Sequence, residues 1–311
     1  VRKAQEAEKK TTGYYGEYAH CRKLSLDEIK AGINEGKPYV LRLRSPGKED
    51  GKVYFDDVIK GKIEMPENTQ DIVLLKTDGI PTYHFAHAVD DHLMGTTHVV
   101  RGDEWIASAP IHLQLFRLLG FKAPKYAHIA PLMKEENGGK RKLSKRKDPE
   151  AAVSFYFEQG YPSDSVREYL LTLANSNYEE WHKVNKTASQ DDFPFNLKKM
   201  SSSGALFDLV KFDDVSKNVI SAFSAEKIYQ SIADWAQKHS PDFYKTFTAN
   251  PEFSKHIFTI DRSGKNPRKD IAKWSEVPEY TSYFFAKPET FDMPENLSAE
   301  DIKAVICEYA N

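Results

Sequence analysis

Polar and apolar positions change period several times along the chain, and each change marks an expected element. Residues 1–35 are charged and helical in pattern, and SLDEIKAGI carries an S-x-x-E capping box from Ser25 to Glu28. From Tyr39 the runs become short and alternating: YVLRLR, KVYFDDVIKGKIEM and DIVLLKTDGIPTYHF, separated by Gly, Pro or Asp, predict a small sheet-rich unit. HVVRGDEW (residues 98–105) predicts a buried strand ending at Arg101, with Gly102 as the turn. SAPIHLQLFRLLG then predicts a helix from a Ser108 cap to a terminating Gly120. Strand, polar turn and helix in that order point to an α/β unit, and such folds bind ligands beyond the carboxyl ends of their strands.

Further on, Asp148 is expected to cap a helix with Pro149 at its first position and Gly160 at its end. SDSVREYLLTLANS places Val166, Tyr169, Leu170 and Leu173 at helical spacing. NYEEWHKVNKTASQDDFP and the SSSG of 201–204 have the composition of loops, and a helix-rich region starts near SAEKIYQSIADWAQKH (224–239). The sequence has no internal repeat and no low-complexity segment.

Composition narrows the class. The chain has 311 residues, 40% of them apolar, enough for a self-sufficient core in roughly two to four compact units. With 44 Lys and Arg against 46 Asp and Glu, contact with nucleic acid is left to local patches. The two cysteines, Cys21 and Cys307, are far apart, form no CxxC framework and fit a reducing, cytoplasmic setting. No stretch approaches the roughly 18 apolar residues of a membrane span. The opening VRKAQEAEKK has the character of an internal segment, which predicts a fragment.

One local patch stands out. Six cations, Lys140, Arg141, Lys142, Lys145, Arg146 and Lys147, fall within eight positions ahead of the helix expected after Asp148. Ammonium and guanidinium groups beside a helix N-terminus suit a polyphosphate. A solvated basic loop has the same cation count, but would not need Leu143 and Ser144 between its charges.

The segment Lys142-Leu143-Ser144-Lys145-Arg146 resembles the second signature of class I aminoacyl-tRNA synthetases, in the KLSKR form of the glutamyl enzymes. PTYHFAHAVDDHLMGTTHVVRGDEWIASAPIHLQLFRLLGF (81–121) is similar to that family over its whole length. PSDSVREYLLTLANS, GALFDL (204–209), GYYGEYAHCRKLS and PYVLRLRSP agree as well. The likeness covers most of residues 1–235 and thins toward the C-terminus. The glutaminyl relatives usually carry Met before the serine, so KLSKR disfavours them.

The resemblance implies ATP-dependent joining of L-glutamate to a glutamate tRNA through an enzyme-bound adenylate, with Mg2+ accompanying the ATP, by a cytoplasmic enzyme expected to be a monomer. It implies that Lys142, Ser144 and Lys145 hold the phosphates as the catalytic set, with Leu143 and Arg146 completing the nucleotide contact. Met133 would lie beside the adenine, or is simply a core methionine of the APLM run. Glu104 and Trp105 would line the nucleotide site. Arg101 would read a substrate carboxylate, for which a planar fork suits better than an ammonium group; the alternative is a surface ion pair to Asp103 or Glu104. Tyr83 would contact the glutamate. His87, on the same face as Tyr83 whether TYHFAHAV is helix or strand, stands where many members carry Asn. Cys21 lies where some relatives have part of a zinc knuckle, but with His20 alone it cannot complete a site, and no protein-bound metal is expected.

None of the ten histidines begins the His-x-Gly-His first signature. The expected fold is therefore α/β: a partial Rossmann-type class I catalytic domain with an α+β insert and mainly helical C-terminal domains. The expected division is a partial acceptor-stem insert (1–80), the second catalytic half (81–147), a stem-contact region (148–222) and the start of a helical anticodon-binding domain (223–311). Such a chain is expected to bind tRNA weakly and to be inactive alone. A non-catalytic tRNA-binding module on the same fold is the rival expectation.

Overall fold

The capping box at the start of the second helix forms in both directions: Ser25 Oγ accepts from the Glu28 amide, and the Glu28 carboxylate accepts from the Ser25 amide. This is one detail of a computed structural model that describes residues 1–262, 264–287 and 298–309. The chain divides into two units. The first comprises Val1–Lys142 and Leu171–Phe207, the second Leu143–Leu170 and Asp208–Asn311.

In chain order the elements begin with α1 (Arg2–Ala7), α2 (Leu26–Asn34), β1 (Leu41–Arg42), β2 (Lys52–Asp57), β3 (Gly61–Pro66) and β4 (Val73–Leu75). They continue with α3 (Tyr83–Leu93), β5 (His98–Gly102), α4 (Ala109–Leu118), β6 (Lys125–Ile129), β7 (Met133–Glu136) and β8 (Gly139–Lys142). Helices follow: α5 (Val153–Gln159), α6 (Ser163–Ala174), α7 (Tyr178–Val184), α8 (Leu209–Ser221), α9 (Ala225–His239), α10 (Pro241–Thr248) and α11 (Pro251–Ile257). The last described are α12 (Val277–Tyr280), α13 (Ser282–Phe285) and α14 (Ala299–Tyr309).

The centre of the first unit is a mixed sheet of order β3-β2-β6-β5, which draws strands from both sides of residue 80. The β2–β3 pair is an antiparallel hairpin. β5 and β6 run parallel from His98↔Lys125 to Gly102↔Ile129, with α4 as the crossover between them. This is the α/β unit expected from the sequence. The strand itself differs from expectation: β5 runs through Gly102 and is an edge, so Val100 is half exposed rather than buried. The segment from Tyr83, which the alternating pattern had joined to a sheet run, is helical. Phe85, Ala88 and Val89 recur at helical spacing, and Ala88 is buried with Leu43, Leu115 and Phe116 in the core between α3 and α4.

Two further expectations are corrected. Residues 178–184 are a helix, not a loop, because Tyr178 and Trp181 both pack on Phe193, at 4.9 and 5.3 Å between ring centroids. Asp148 does not cap a helix with its side chain; its carboxylate turns back to accept from the Ser144 amide at 2.8 Å. A 3-10 turn, Pro149–Ala151, follows, and the helix proper starts only at Val153 and ends, as expected, at Gly160 in the left-handed region.

In the second unit α9 carries Ile228, Tyr229, Ile232, Ala233 and Ala236 on one buried face. They pack with Ile220, Phe247, Ile257, Ile271, Trp274 and Val277. Ser224 caps this helix by accepting from the Lys227 amide at 3.2 Å. Among the described residues no helix is long and apolar enough to cross a membrane.

Candidate functional site

At the carboxyl end of β5, Arg101 lies half-buried in a group of aromatic and imidazole rings supplied by α3, α4 and β6. Its Nε donates to Nε2 of His128 at 3.0 Å, one terminal nitrogen to Nδ1 of His112 at 3.1 Å, and the other to the Trp105 carbonyl at 3.4 Å. The guanidinium carbon stands 4.7 Å from the centre of the Tyr126 ring. No carboxylate partners Arg101 among the described residues. The surface ion pair considered for it is not formed: Asp103 pairs with Lys60 at 3.2 Å and Glu104 with Lys142 at 3.0 Å.

Because a guanidinium only donates, each ring nitrogen facing it must accept. His128 then carries its proton on Nδ1, where Asp57 Oδ2 receives it at 2.6 Å. His112 carries its proton on Nε2, toward His84 Nδ1 at 2.9 Å. The result is a run of neutral imidazoles with fixed tautomers, anchored at one end by a buried carboxylate.

Electrostatics agree. Burial, with the nearby His87 ring and the Arg101 guanidinium, pushes His112 down to about 2. Burial and then Arg101 lower His84. Burial also lowers His87 and His128, outweighing Asp91 in the one case and the bond to Asp57 in the other. Asp57 is itself pushed up by burial, but the amides of Lys60, Ile59 and His128 together with the His128 ring leave it net lowered.

Tyr83 and His87 share a face of α3, as their spacing requires, with rings stacked 6.0 Å apart. Tyr83 is about half exposed and packs 4.8 Å from Trp105. His87 Nε2 meets the Tyr126 hydroxyl at 3.0 Å, and Nδ1 lies 2.7 Å from Asp91. Four residues named from the sequence, Tyr83, His87, Arg101 and Trp105, thus meet in one place. Glu104 and Lys142 pair at the surface, and that ammonium group holds the Glu104 carboxyl below its usual range. Met133 starts β7 and is tied by its backbone to Ala205 and Phe207 at 2.8 and 2.7 Å; a Cβ on Gly204 would fall 2.5 Å from its Cγ.

The basic run is not one loop. Lys140–Lys142 belong to β8, paired with β7 through the Asn137-Gly138 turn, and Arg141 is bonded to Glu136 at 2.7 Å. Lys142 ends the first segment of the first unit. Leu143, Ser144, Lys145 and Arg146 open the second, where the Ser144 carbonyl accepts from the amides of Lys147 and Asp148. Lys145, Arg146 and Lys147 are exposed on this turn, with no carboxylate partner among the described residues. The helix end expected beside them is displaced to Val153, so the charges themselves are what this turn offers an anion.

Sequence reasoning did not find Asp57, Lys60, His84, His112, Tyr126 or His128. Only His84 gave a signal, three residues before His87 on the same helical face. Among the described residues no group of His, Cys, Asp and Glu is arranged to hold a metal ion.

Comparison with known proteins bears on this site. The chain is 50% identical to a glutamate–tRNA ligase of Clostridium beijerinckii and 51% identical to one of Clostridium perfringens (strain 13 / Type A), over 99% of its own length in both cases. It spans 57% and 58% of those two proteins. Its fold matches the crystal structure of a glutamate tRNA ligase from Elizabethkingia meningosepticum in complex with its amino acid. The TM-score is 0.77 and the identity 28%, covering 99% of this chain and 62% of that one. Residues 1–213 match the family described as tRNA synthetases class I (E and Q), catalytic domain, so the β5–α4–β6 crossover is part of a Rossmann-like α/β catalytic fold and the chain belongs to that family.

Proposed function

We propose that the chain forms part of a glutamate–tRNA ligase, which joins L-glutamate to its tRNA through a glutamyl-adenylate at the expense of ATP. The observation that supports this best is Arg101: a fixed, half-buried cation whose hydrogen-bond partners are neutral and which no carboxylate among the described residues satisfies. A substrate carboxylate is the natural complement, because a guanidinium can grip its two oxygens together. In this reading Tyr83 and His87 border the glutamate, and Glu104, Trp105 and Met133 border the nucleotide.

Lys142, Ser144 and Lys145 stabilise the phosphates as pyrophosphate leaves, with Leu143 and Arg146 beside them and Mg2+ arriving on ATP. The chemistry asked of these groups is positioning and charge stabilisation rather than covalent catalysis. The acceptor-stem (1–80), second catalytic (81–147), stem-contact (148–222) and anticodon-side (223–311) roles belong to the same proposal. So does inactivity of the 311 residues by themselves, since they span little more than half of the ligases they resemble.

Glutamate-dependent exchange of pyrophosphate into ATP tests the function. The intact ligase should exchange with glutamate and not with glutamine. The 311-residue chain should give only background exchange while binding tRNA with an affinity that falls steeply as salt rises. Absence of glutamate-dependent exchange in the intact protein would overturn the reading.

A further inference from the structure

Asp57 is buried, lies 71 residues from His128 in sequence, and is held from several directions. Oδ1 accepts from the amides of Ile59 and Lys60 at 3.0 and 2.9 Å, which fixes the carboxylate in the β2–β3 turn. Oδ2 accepts from the His128 amide at 3.1 Å and faces Nδ1 of the same ring at 2.6 Å. His128 is fully buried, between Asp57 and the Nε–H of Arg101.

We infer that Asp57 and His128 are positioning residues for Arg101: the carboxylate locks the imidazole with its Nε2 lone pair toward the guanidinium, and this fixes which edge of Arg101 a ligand can take. The inference rests on the proposed role of Arg101 toward the glutamate carboxylate. Once Nε–H is committed to His128, the side edge of the guanidinium is closed. One hydrogen on each terminal nitrogen is directed at His112 and at the Trp105 carbonyl. What remains for a carboxylate is the end of the fork, one N–H on each terminal nitrogen. If His128 adopted the opposite tautomer, Nε2–H would face Nε–H, donor against donor. Arg101 would then swing away and lose that presentation.

Asp57→Asn makes this reversal. The amide oxygen still serves the turn amides and, from 3.3 Å, the His128 amide, while its NH2 meets Nδ1 and drives the ring proton to Nε2. In the intact ligase we expect the KM for glutamate to rise about tenfold or more, as for loss of one well-placed hydrogen bond to a charged group. The KM for ATP should stay within about twofold. His128→Phe, which fills similar space but offers Arg101 no acceptor, should act in the same direction and covers the case in which Asp57→Asn does not fold. In the chain itself, nitrogen NMR of labelled histidines should find His128 neutral with its proton on Nδ1.

A His128 proton on Nε2, or an imidazolium at neutral pH, would overturn the inference. So would a folded Asp57→Asn or His128→Phe ligase with an unchanged glutamate KM, or one in which both KM values rise together. If the unmutated ligase does not activate glutamate at all, the role given to Arg101 fails, and the NMR result alone decides whether the Asp57–His128 lock exists.

Discussion

Nδ1 of His84 lies 2.9 Å from Nε2 of His112, and the two rings are joined through a single shared proton position. That proton belongs to His112, because the other nitrogen of its ring accepts from Arg101. A second proton on His112 would face the guanidinium inside a buried site, which is why its pKa falls to about 2.

The consequence is a stability that depends on acid. The folded-state pKa lies below the unfolded value of 6.5, so the group costs nothing above pH 6.5. Stability is lost as pH falls toward the folded pKa, since only the unfolded chain takes up the proton. His112 alone should remove about 2 kcal/mol by pH 5, with His84, His87 and His128 adding in the same direction. Thermal melts at pH 7.5 and pH 5 measure this. In His112→Gln, whose amide can still accept from Arg101 and donate to His84, the gap between the two melting temperatures should narrow. An unchanged gap would assign the acid sensitivity elsewhere.

Arg101→Lys separates charge from geometry. The ammonium group keeps the cation but cannot bond His128, His112 and a carboxylate in one plane. The expected result is a loss of about tenfold to a hundredfold in kcat/KM for glutamate. Steady-state exchange kinetics in the intact ligase would expose an error if kcat and KM both survived.

Lys145 is exposed on the Ser144–Asp148 turn, and no carboxylate competes for it among the described residues. Lys145→Ala should therefore leave stability nearly untouched while lowering adenylate formation by about 2–4 kcal/mol in transition-state terms, the usual effect of removing one preorganised charge donor. Pyrophosphate exchange at saturating glutamate reads it. A wild-type rate would make the basic turn a solvated surface feature.

How much of this could be read beforehand follows from where each contact lies in sequence. Tyr83 and His87 are on one helix, and a spacing of four places them together whatever their neighbours do. Lys142 to Arg146 are contiguous. The capping box at Ser25 is complete within four residues. The groups around Arg101 were not legible for the opposite reason: His128 and Asp57 meet across 71 positions, and His84 and His112 across 28. A lone histidine in an apolar strand such as KYAHI gives no sign of the partner that the fold will bring to it. Asp148 misled in a different way. Its position before Pro149 has the signature of a cap, but the Ser144 amide, left open by the tight turn, took the carboxylate instead. Residues 178–184 were misread because their polar composition hid Tyr178 and Trp181, whose packing on Phe193 holds the helix.

Gly160 offers a test of the second unit by itself. Its φ of 77° lies in the left-handed region, and a Cβ there would fall 2.7 Å from the Trp274 Cβ and 3.0 Å from the Trp235 ring. The same neighbours are bonded to this corner: the Trp274 amide donates to the Gly160 carbonyl at 3.0 Å, and the Trp235 indole to the Glu158 carbonyl at 3.0 Å. Gly160→Ala thus combines left-handed strain, about 1–2 kcal/mol, with overpacking of about 1–3 kcal/mol, because neither tryptophan can move without giving up a hydrogen bond. Gly120→Ala is the control: its φ of 70° imposes similar strain, but nothing lies within 4 Å of the added carbon. Denaturant unfolding followed by tryptophan fluorescence should show a clearly larger loss for Gly160→Ala, by about 1 kcal/mol or more. Equal losses for the two variants would mean that backbone conformation alone, and not the approach of Trp274 and Trp235, requires glycine at the end of α5.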